Sequence, residues 1–121
     1  MFGMENPAMS SVASLYNVPS TQDELNDWSF AHAAHHRDIN RIIYQRLKLE
    51  LPEFVLDPLD INDTGTWLYQ HQAMHTNQDA ILGISGYDLL DVDFKDQNEF
   101  AGWVFLNADE HVQAAAILEI G

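Results

Sequence analysis

Paired histidines at helical spacing are the residues of this chain whose type and position could do chemistry. The segment at 67–75 reads WLYQHQAMH, so His71 and His75 follow Trp67 in steps of four. A step of four residues keeps side chains on one face of an α-helix. Neutral imidazole is a common ligand for zinc and similar ions, and two rings on one face can bind the same ion. The pair therefore indicates either a metal site or a buried polar network.

The same spacing occurs three times along the chain. The pattern is W-x-[FY]-x-[HN]-x-x-x-H, and successive tryptophans stand 39 and 36 residues apart. All three tryptophans and five of the six histidines obey it. We therefore predict a threefold internal repeat of a helical unit that buries its apolar face against its neighbours. The candidate structural core consists of Trp28, His32, His36, Trp67, His71, His75, Trp103, Asn107 and His111.

Capping signals divide the chain into three helices. Thr21 and Asp96 each have a glutamate three residues later, which is the spacing of a capping box, and Asn62 or Asp63 could cap the helix between them. The fold class is therefore all-α, a three-helix bundle from a threefold internal repeat, with an extended N-terminal arm. The predicted helices are 21–48, 64–83 and 96–119. The predicted division is an arm at 1–19 and a single helical domain at 20–121.

The composition excludes several classes of protein. The 121-residue chain suffices for one domain with one core. It carries 19 acidic and 5 basic residues, so we expect no direct contact with nucleic acid, because too few cations are present to neutralise phosphates. The absence of cysteine removes disulfides and thiolate ligands. We expect neither a membrane span nor a secretory signal, because no sufficiently long apolar run exists.

Five histidines and one asparagine should meet inside the bundle, at one or two levels. Unpaired buried polar groups cost about 1–3 kcal/mol each, so they must be satisfied by one another, by water or by an ion. We favour a histidine and asparagine network that fixes the helix register, with no cofactor. The rings could also lie in a groove that binds a partner. If a metal is present, its ligands are His32, His36, His71, His75 and His111.

Catalysis is not expected from this sequence. No hydroxyl stands in a nucleophile motif, and the glycines of GISG at 83–86 do not follow a strand as a phosphate loop would. The acidic connections lack the glycine and distal glutamate of a calcium loop. We therefore predict that the protein is not an enzyme.

Three segments carry a resemblance to known proteins. They read HHRDIN, LGISGYDL and LNADEH, at 35–40, 82–89 and 106–111. Together with the tryptophans they resemble small uncharacterised virion-associated proteins of tailed bacteriophages, over about residues 15–121. The resemblance implies a non-enzymatic structural or assembly component, present in multiple copies in the virion after assembly in the host cytoplasm. Its partner would be a larger protein assembly such as a capsid, connector or tail.

Candidate partner-binding residues lie in the arm and on the outer helix faces. Phe30, Tyr69 and Phe105 occupy equivalent places in the three repeats, about 200° from their tryptophans, and should emerge opposite the core. There they would form either a second packing layer with the connections or a contact surface for partners. Two other functions stay open besides the virion role. One is a histidine-rich metal-binding bundle, and the other is an acidic charge mimic that inhibits a nucleic-acid-binding protein. The residues predicted to dock are Leu15, Tyr16 and Val18.

Overall fold

The computed structural model describes residues 14–52, 59–60 and 62–119, and three α-helices in these ranges form one bundle. Every pair of helices is in contact. Each helix boundary lies within one residue of the predicted one, and the all-α three-helix bundle is confirmed. None of these described helices combines the length and the apolar character needed to cross a bilayer. The helices are α1 (Gln22–Leu47), α2 (Gly65–Leu82) and α3 (Gln97–Leu118).

Side-chain caps begin the first and third helices as predicted. Thr21 Oγ1 accepts the backbone N–H of Glu24 at 3.1 Å. The Glu24 carboxylate in turn accepts the backbone N–H of Ser20 at 2.9 Å, one residue before the expected partner. Asp96 caps α3 by accepting the N–H groups of residues 98 and 99. These bonds satisfy backbone donors that a helix leaves free in its first turn.

The cap predicted for α2 is wrong. Its N-cap residue is Thr64, and the threonine side chain makes no capping hydrogen bond. Asn62 and Asp63 instead belong to a tight turn, in which their backbone N–H groups donate to Asp60 at 2.9 and 3.0 Å. The C-terminal end of α2 is capped by Gly83, which adopts the left-handed conformation that glycine tolerates best (φ 73°).

The three helices run in the same direction. Their tryptophans meet at one end, since Trp103 lies 5.7 Å from Trp28 and 5.8 Å from Trp67 between ring centroids. The C-terminal parts of the helices form a second apolar cluster, which includes Ile39, Ile43 and Leu118. The histidines lie between these clusters along each helix. The bundle is therefore layered, with a polar layer enclosed by two apolar ones.

Long connections return the chain between parallel helices. The connection at 83–96 begins at the C-terminal cluster, against which Ile84 packs. It reaches the tryptophan end at Leu89, whose carbonyl accepts the indole N–H of Trp103 at 2.9 Å. Leu59 arrives at the same end in the preceding connection and donates its N–H to Ser29 Oγ at 3.1 Å. Parallel packing thus accounts for connections longer than those of antiparallel bundles.

The described part of the N-terminal arm packs on the bundle instead of extending away from it. Residues 14–17 form a turn closed by a 3.1 Å hydrogen bond. Leu15 is fully buried, and its carbonyl accepts the indole N–H of Trp28 at 3.2 Å. The prediction that Leu15 docks a partner is therefore wrong, because its side chain fills the protein's own core. Val18 packs against the same core, whereas Tyr16 is partly exposed beside Phe105. Residues 1–13 of the predicted arm lie outside the described residues.

Candidate metal centre

Stacking explains why tryptophan and histidine share a helix face. The Trp28 and His32 rings lie 4.8 Å apart at an interplanar angle of 11°. Trp67 and His71 repeat the arrangement at 4.7 Å and 21°. Each indole covers the flat face of an imidazole one turn further along its helix, which leaves the ring nitrogens at the imidazole edge. The tryptophans therefore seal one end of the histidine layer from solvent.

Three atoms from three helices form a triangle below the tryptophans. They are His32 Nε2, His71 Nε2 and Asn107 Oδ1, which are equivalent positions of the predicted repeat. The two nitrogens are 3.0 Å apart, and the oxygen lies 3.2 Å from His32 and 2.9 Å from His71. All three side chains are fully buried. We call these three residues the upper triad.

A second set of three rings lies one helical turn further on, and we call it the lower triad. Its ring centroids are 4.4–4.9 Å apart. The Nε2 atom of His36 lies 3.1 Å from His32 Nε2 and joins the two triads. Five histidines thus offer ligand atoms that all lie within 4.8 Å of one another. The lower triad is His36, His75 and His111.

The Nδ1 atoms of the lower triad contact polar side chains around it. His36 Nδ1 lies 3.0 Å from Gln78 Oε1, and His75 Nδ1 lies 3.2 Å from Glu110 Oε1. His111 Nδ1 contacts His35 Nδ1. Outer partners of this kind fix the tautomer and orientation of an imidazole, as they do around known metal sites. They leave the Nε2 atom of each ring free to face the centre.

Sequence reasoning missed three buried polar residues of this outer layer. Asn40 continues the step of four after His36, and Gln78 follows His71 by seven residues, so helical spacing could have found both. Gln78 donates to Asn40 Oδ1 at 2.7 Å and to the His36 carbonyl at 3.2 Å. His35 is fully buried although it lies outside the repeated pattern. It adjoins the histidine face of α1 on the side that α3 covers, and the spacing alone does not indicate this.

Hydrogen bonding alone does not satisfy the inner atoms. An imidazole Nε2 either donates one proton or accepts one, and an amide oxygen only accepts. If His32 and His71 both donate to Asn107 Oδ1, their N–H groups face each other across 3.0 Å. Turning the amide round brings two nitrogen lone pairs together instead, and protonating only one ring leaves the lone pair of the other ring facing Asn107 Oδ1. In addition, the Nε2 atoms of His75 and His111 have no hydrogen-bond partner among the described residues.

Burial keeps the histidines neutral. It lowers the pKa of His32, His36, His71 and His111 well below the ordinary value, and neighbouring rings lower it further because two charges would repel. Burial also lowers the pKa of His35 and His75 to about 4. A neutral imidazole presents a lone pair to a cation, whereas a protonated one does not. All six rings are therefore in the form that binds metals at neutral pH.

Two buried carboxyl groups adjoin the lower triad. Glu110 contacts His75, and Asp79 lies beside Glu110. Burial raises the pKa of Asp79 to about 8, and a hydrogen bond to Glu110 and its negative charge act in the same direction. In the absence of a cation, Asp79 is therefore protonated at neutral pH, which avoids two negative charges side by side.

The fold and this site together define a class of protein: a parallel three-helix bundle with a sealed, histidine-rich polar centre. All nine predicted core residues are buried in it, at three successive levels: the tryptophans, the upper triad and the lower triad. No family model matches the chain, and no match was found among curated proteins or solved structures. Function is therefore inferred from the residues of this chain alone. The nine core residues are Trp28, Trp67, Trp103, His32, His71, Asn107, His36, His75 and His111.

Proposed function

We propose that this protein binds a divalent transition-metal ion between the upper and lower triads. The observation that carries the proposal is the triangle of His32 Nε2, His71 Nε2 and Asn107 Oδ1, with sides of 2.9–3.2 Å. The three contacts between these atoms cannot all be hydrogen bonds, because each atom is either a donor or an acceptor. A cation resolves the conflict, because every lone pair then points at one positive charge. Metal binding was the less favoured interpretation of the sequence, and the geometry of these inner atoms is the reason to prefer it.

The distances between the ligand atoms of the two triads fit the coordination sphere of a single ion. With metal–nitrogen bonds of about 2.1 Å, adjacent ligands of an octahedral ion lie about 3.0 Å apart and opposite ligands about 4.2 Å apart. The sides of the upper triad match the first distance. The ligand atoms of the five histidines all lie within 4.8 Å of one another, which is about 0.6 Å more than the second distance. Two triads of three ligands would supply five nitrogens and one oxygen.

The donor set indicates which ions are favoured. Imidazole nitrogens suit Zn²⁺, Fe²⁺, Ni²⁺ and Cu²⁺, whereas Mg²⁺ and Ca²⁺ require mostly oxygen ligands. Six protein ligands would leave no position for water or substrate at this ion. Sites closed in this way stabilise folds rather than catalyse reactions. The expectation that the protein is not an enzyme agrees with this role and stays a prediction.

Metal content is the direct test of this proposal. We expect chelator-stripped full-length protein, dialysed against Zn²⁺ and then against metal-free buffer, to retain at least one zinc ion per chain by elemental analysis. Mg²⁺ should not be retained under the same conditions, because the centre is rich in nitrogen. Retention of less than about a tenth of an ion for each of Zn²⁺, Fe²⁺, Ni²⁺ and Cu²⁺ would overturn the proposal.

We further propose that the bundle is a virion component that docks on a larger and more basic protein assembly. The supporting observation is the exposure of the three equivalent outer aromatics, which is 75% at Phe30, 72% at Tyr69 and 51% at Phe105. Exposed aromatics at related positions are typical of contact surfaces. The net charge of −14 favours a basic partner. A metal-stabilised core is compatible with such a structural role.

Association with particles tests the virion role. We expect the protein to co-sediment with phage particles purified from cells that produce it, and the Tyr69→Ser variant to associate at least about tenfold more weakly. Tyr44→Ser is the matched control, because Tyr44 is also half exposed but lies outside the repeated aromatic position. Protein found only in the soluble fraction, or equal loss in both variants, would contradict the docking surface.

A further inference from the structure

A mixed group of ligands lies at the edge of the proposed metal centre. It consists of His75, Asp79 and Glu110, whose ligand atoms lie within 4.8 Å of one another. Asp79 follows His75 by one helical turn on α2, and Glu110 precedes His111 on α3. All three side chains are buried, with Glu110 only 1% exposed. His75 is thus common to this group and to the lower triad.

No cationic side chain neutralises these carboxylates among the described residues. Among the described residues, the ion pair that a Lys or Arg side chain forms joins Arg41 to Asp38 at the surface. Glu110 Oε2 accepts the backbone N–H of Tyr87 at 3.2 Å, and Glu110 Oε1 faces His75 Nδ1 at 3.2 Å. Buried carboxylates ordinarily require a positive partner or a metal ion. The partners present here are a neutral ring, one amide and the proton held by Asp79, so the group lacks a cation.

A surface cavity leads to the same group. It has a volume of about 360 Å³, and its lining includes Asp79, Gly86 and Asp88. Its acidic lining would attract cations from solvent. The five-histidine centre, by contrast, is enclosed by the tryptophan layer and by the C-terminal apolar cluster. Asp79 is therefore the ligand through which this group adjoins the surface cavity.

Gly86 brings the backbone of the connection against both carboxylates. A Cβ atom at this position would lie 2.5 Å from Asp79 Oδ2 and 3.0 Å from Glu110 Oε1. Since the backbone of Gly86 does not adopt a left-handed conformation, the need for glycine here is one of space. The absence of a side chain leaves the two carboxyl groups facing each other beside the cavity.

We propose that His75 Nδ1, Asp79 and Glu110 bind a second divalent cation, next to the ion of the two triads. This inference depends on the proposed function, because His75 would use Nε2 for the first ion and Nδ1 for the second. The Nδ1 proton and the proton held by Asp79 leave to solvent when the second ion binds, and the ring becomes an imidazolate that links both ions. Two carboxylates and one nitrogen suit Mn²⁺, Fe²⁺ or Zn²⁺. The adjoining cavity leaves water as the remaining ligand, so this ion exchanges and the buried one does not.

Stoichiometry in matched variants tests the second site. Calorimetric titration of chelator-stripped full-length protein with Zn²⁺ should give two ions per chain. Gly86→Ala, which places a methyl group against Asp79, and Asp79→Asn should each bind one ion. Gly102→Ala is the control, because a Cβ there meets no atom within 4 Å, and it should still bind two. Retention of one ion by the first two variants also shows that they are folded.

The outcomes separate this inference from the proposed function. One ion in the unmodified protein and in every variant would overturn the second site and leave the first in place. Two ions in both Gly86→Ala and Asp79→Asn would also overturn it, because the second ion would then lie elsewhere. No ion in any of the proteins would overturn the proposed function itself. In Cu²⁺-loaded protein, the bridge predicts that the paramagnetic signal per copper falls as the second ion binds, and a signal that grows linearly would contradict a shared His75.

Discussion

Lowering the pH from about 8 to about 5 should unfold the metal-free protein. All six histidines have pKa values below their ordinary value of 6.5 because they are buried. The unfolded chain therefore binds more protons, and the free energy of unfolding falls as the pH drops below about 6.5. Each ring lowers it by about 1.4 kcal/mol per pH unit until its folded pKa is reached, which is about 4 for His35 and His75. Six rings acting together reach the typical stability of a small domain at about pH 5.

Asp79 opposes this trend without reversing it. Its pKa is raised to about 8, so its contribution to stability is present below the ordinary value of 3.8 and is lost as the pH rises towards about 8. One carboxyl group does not balance six imidazoles. Chemical denaturation at a series of pH values measures the effect, and bound metal should shift the loss of stability to lower pH. A free energy of unfolding that stays constant between about pH 8 and about pH 5 would show that the rings are not buried and neutral.

Replacing His71 by leucine should greatly reduce stabilisation by metal without destabilising the metal-free protein. His71 supplies one corner of the upper triad, so its loss removes a ligand from the first site. In the metal-free state the change also removes the conflict between His71 and His32, while Asn107 keeps His32 as its donor. Metal at about 1,000 times its dissociation constant should stabilise the unmodified protein by about 4 kcal/mol, and His71→Leu by much less. Thermal and chemical unfolding with and without Zn²⁺ measure both quantities.

The two interpretations of the histidine layer give opposite results for this variant. A metal centre predicts that metal-free His71→Leu is within about 1 kcal/mol of the unmodified protein, or more stable. A satisfied hydrogen-bond network predicts a loss of several kcal/mol and no effect of metal on either protein. His35→Leu is the matched control, because His35 is equally buried but contacts only the outer nitrogen of His111. It should bind metal about 10–100-fold more weakly with unchanged stoichiometry.

Periodicity accounts for much of what could be predicted from the sequence. Caps at Thr21 and Asp96 located the starts of α1 and α3, because these residues satisfy backbone groups that helix ends leave free. The step of four from each tryptophan placed the buried histidines on one face. The parallel direction could also have been predicted, since equivalent residues of a repeat meet at one level only when their helices point the same way. The threefold repeat itself stays a prediction.

Other features depend on tertiary contacts that periodicity does not contain. Leu15 is apolar and lies in a proline-containing segment, and only the position of the Trp28 indole shows that the segment folds back. His35 is buried because α3 covers the adjoining face of α1, where His111 meets it. The carboxylates of Asp79 and Glu110 come together across two helices, and the connection at Gly86 completes their surroundings. Contacts of this kind are fixed by packing and not by local sequence.

The apolar layers of the core stabilise the bundle and also enclose the proposed metal centre. The tryptophan cluster and the C-terminal apolar cluster provide the burial that keeps the imidazoles neutral. Because of that burial, the centre should bind a cation strongly, and the metal-free protein should lose stability in acid. The outer aromatic face and the acidic surface remain free for the proposed partner, because neither contributes to the centre. The bundle could therefore gain rigidity from metal while it docks through its outer surface.

Anomalous diffraction from crystals of the metal-loaded protein tests the central claim most directly. Data collected on either side of the absorption edge of the metal locate the ion without reference to its ligands. We predict a peak between the two triads, about 2.0–2.3 Å from His32 Nε2, His71 Nε2 and Asn107 Oδ1. A map without a peak at this position, in which the three atoms still lie at hydrogen-bond distance from one another, would contradict the metal centre.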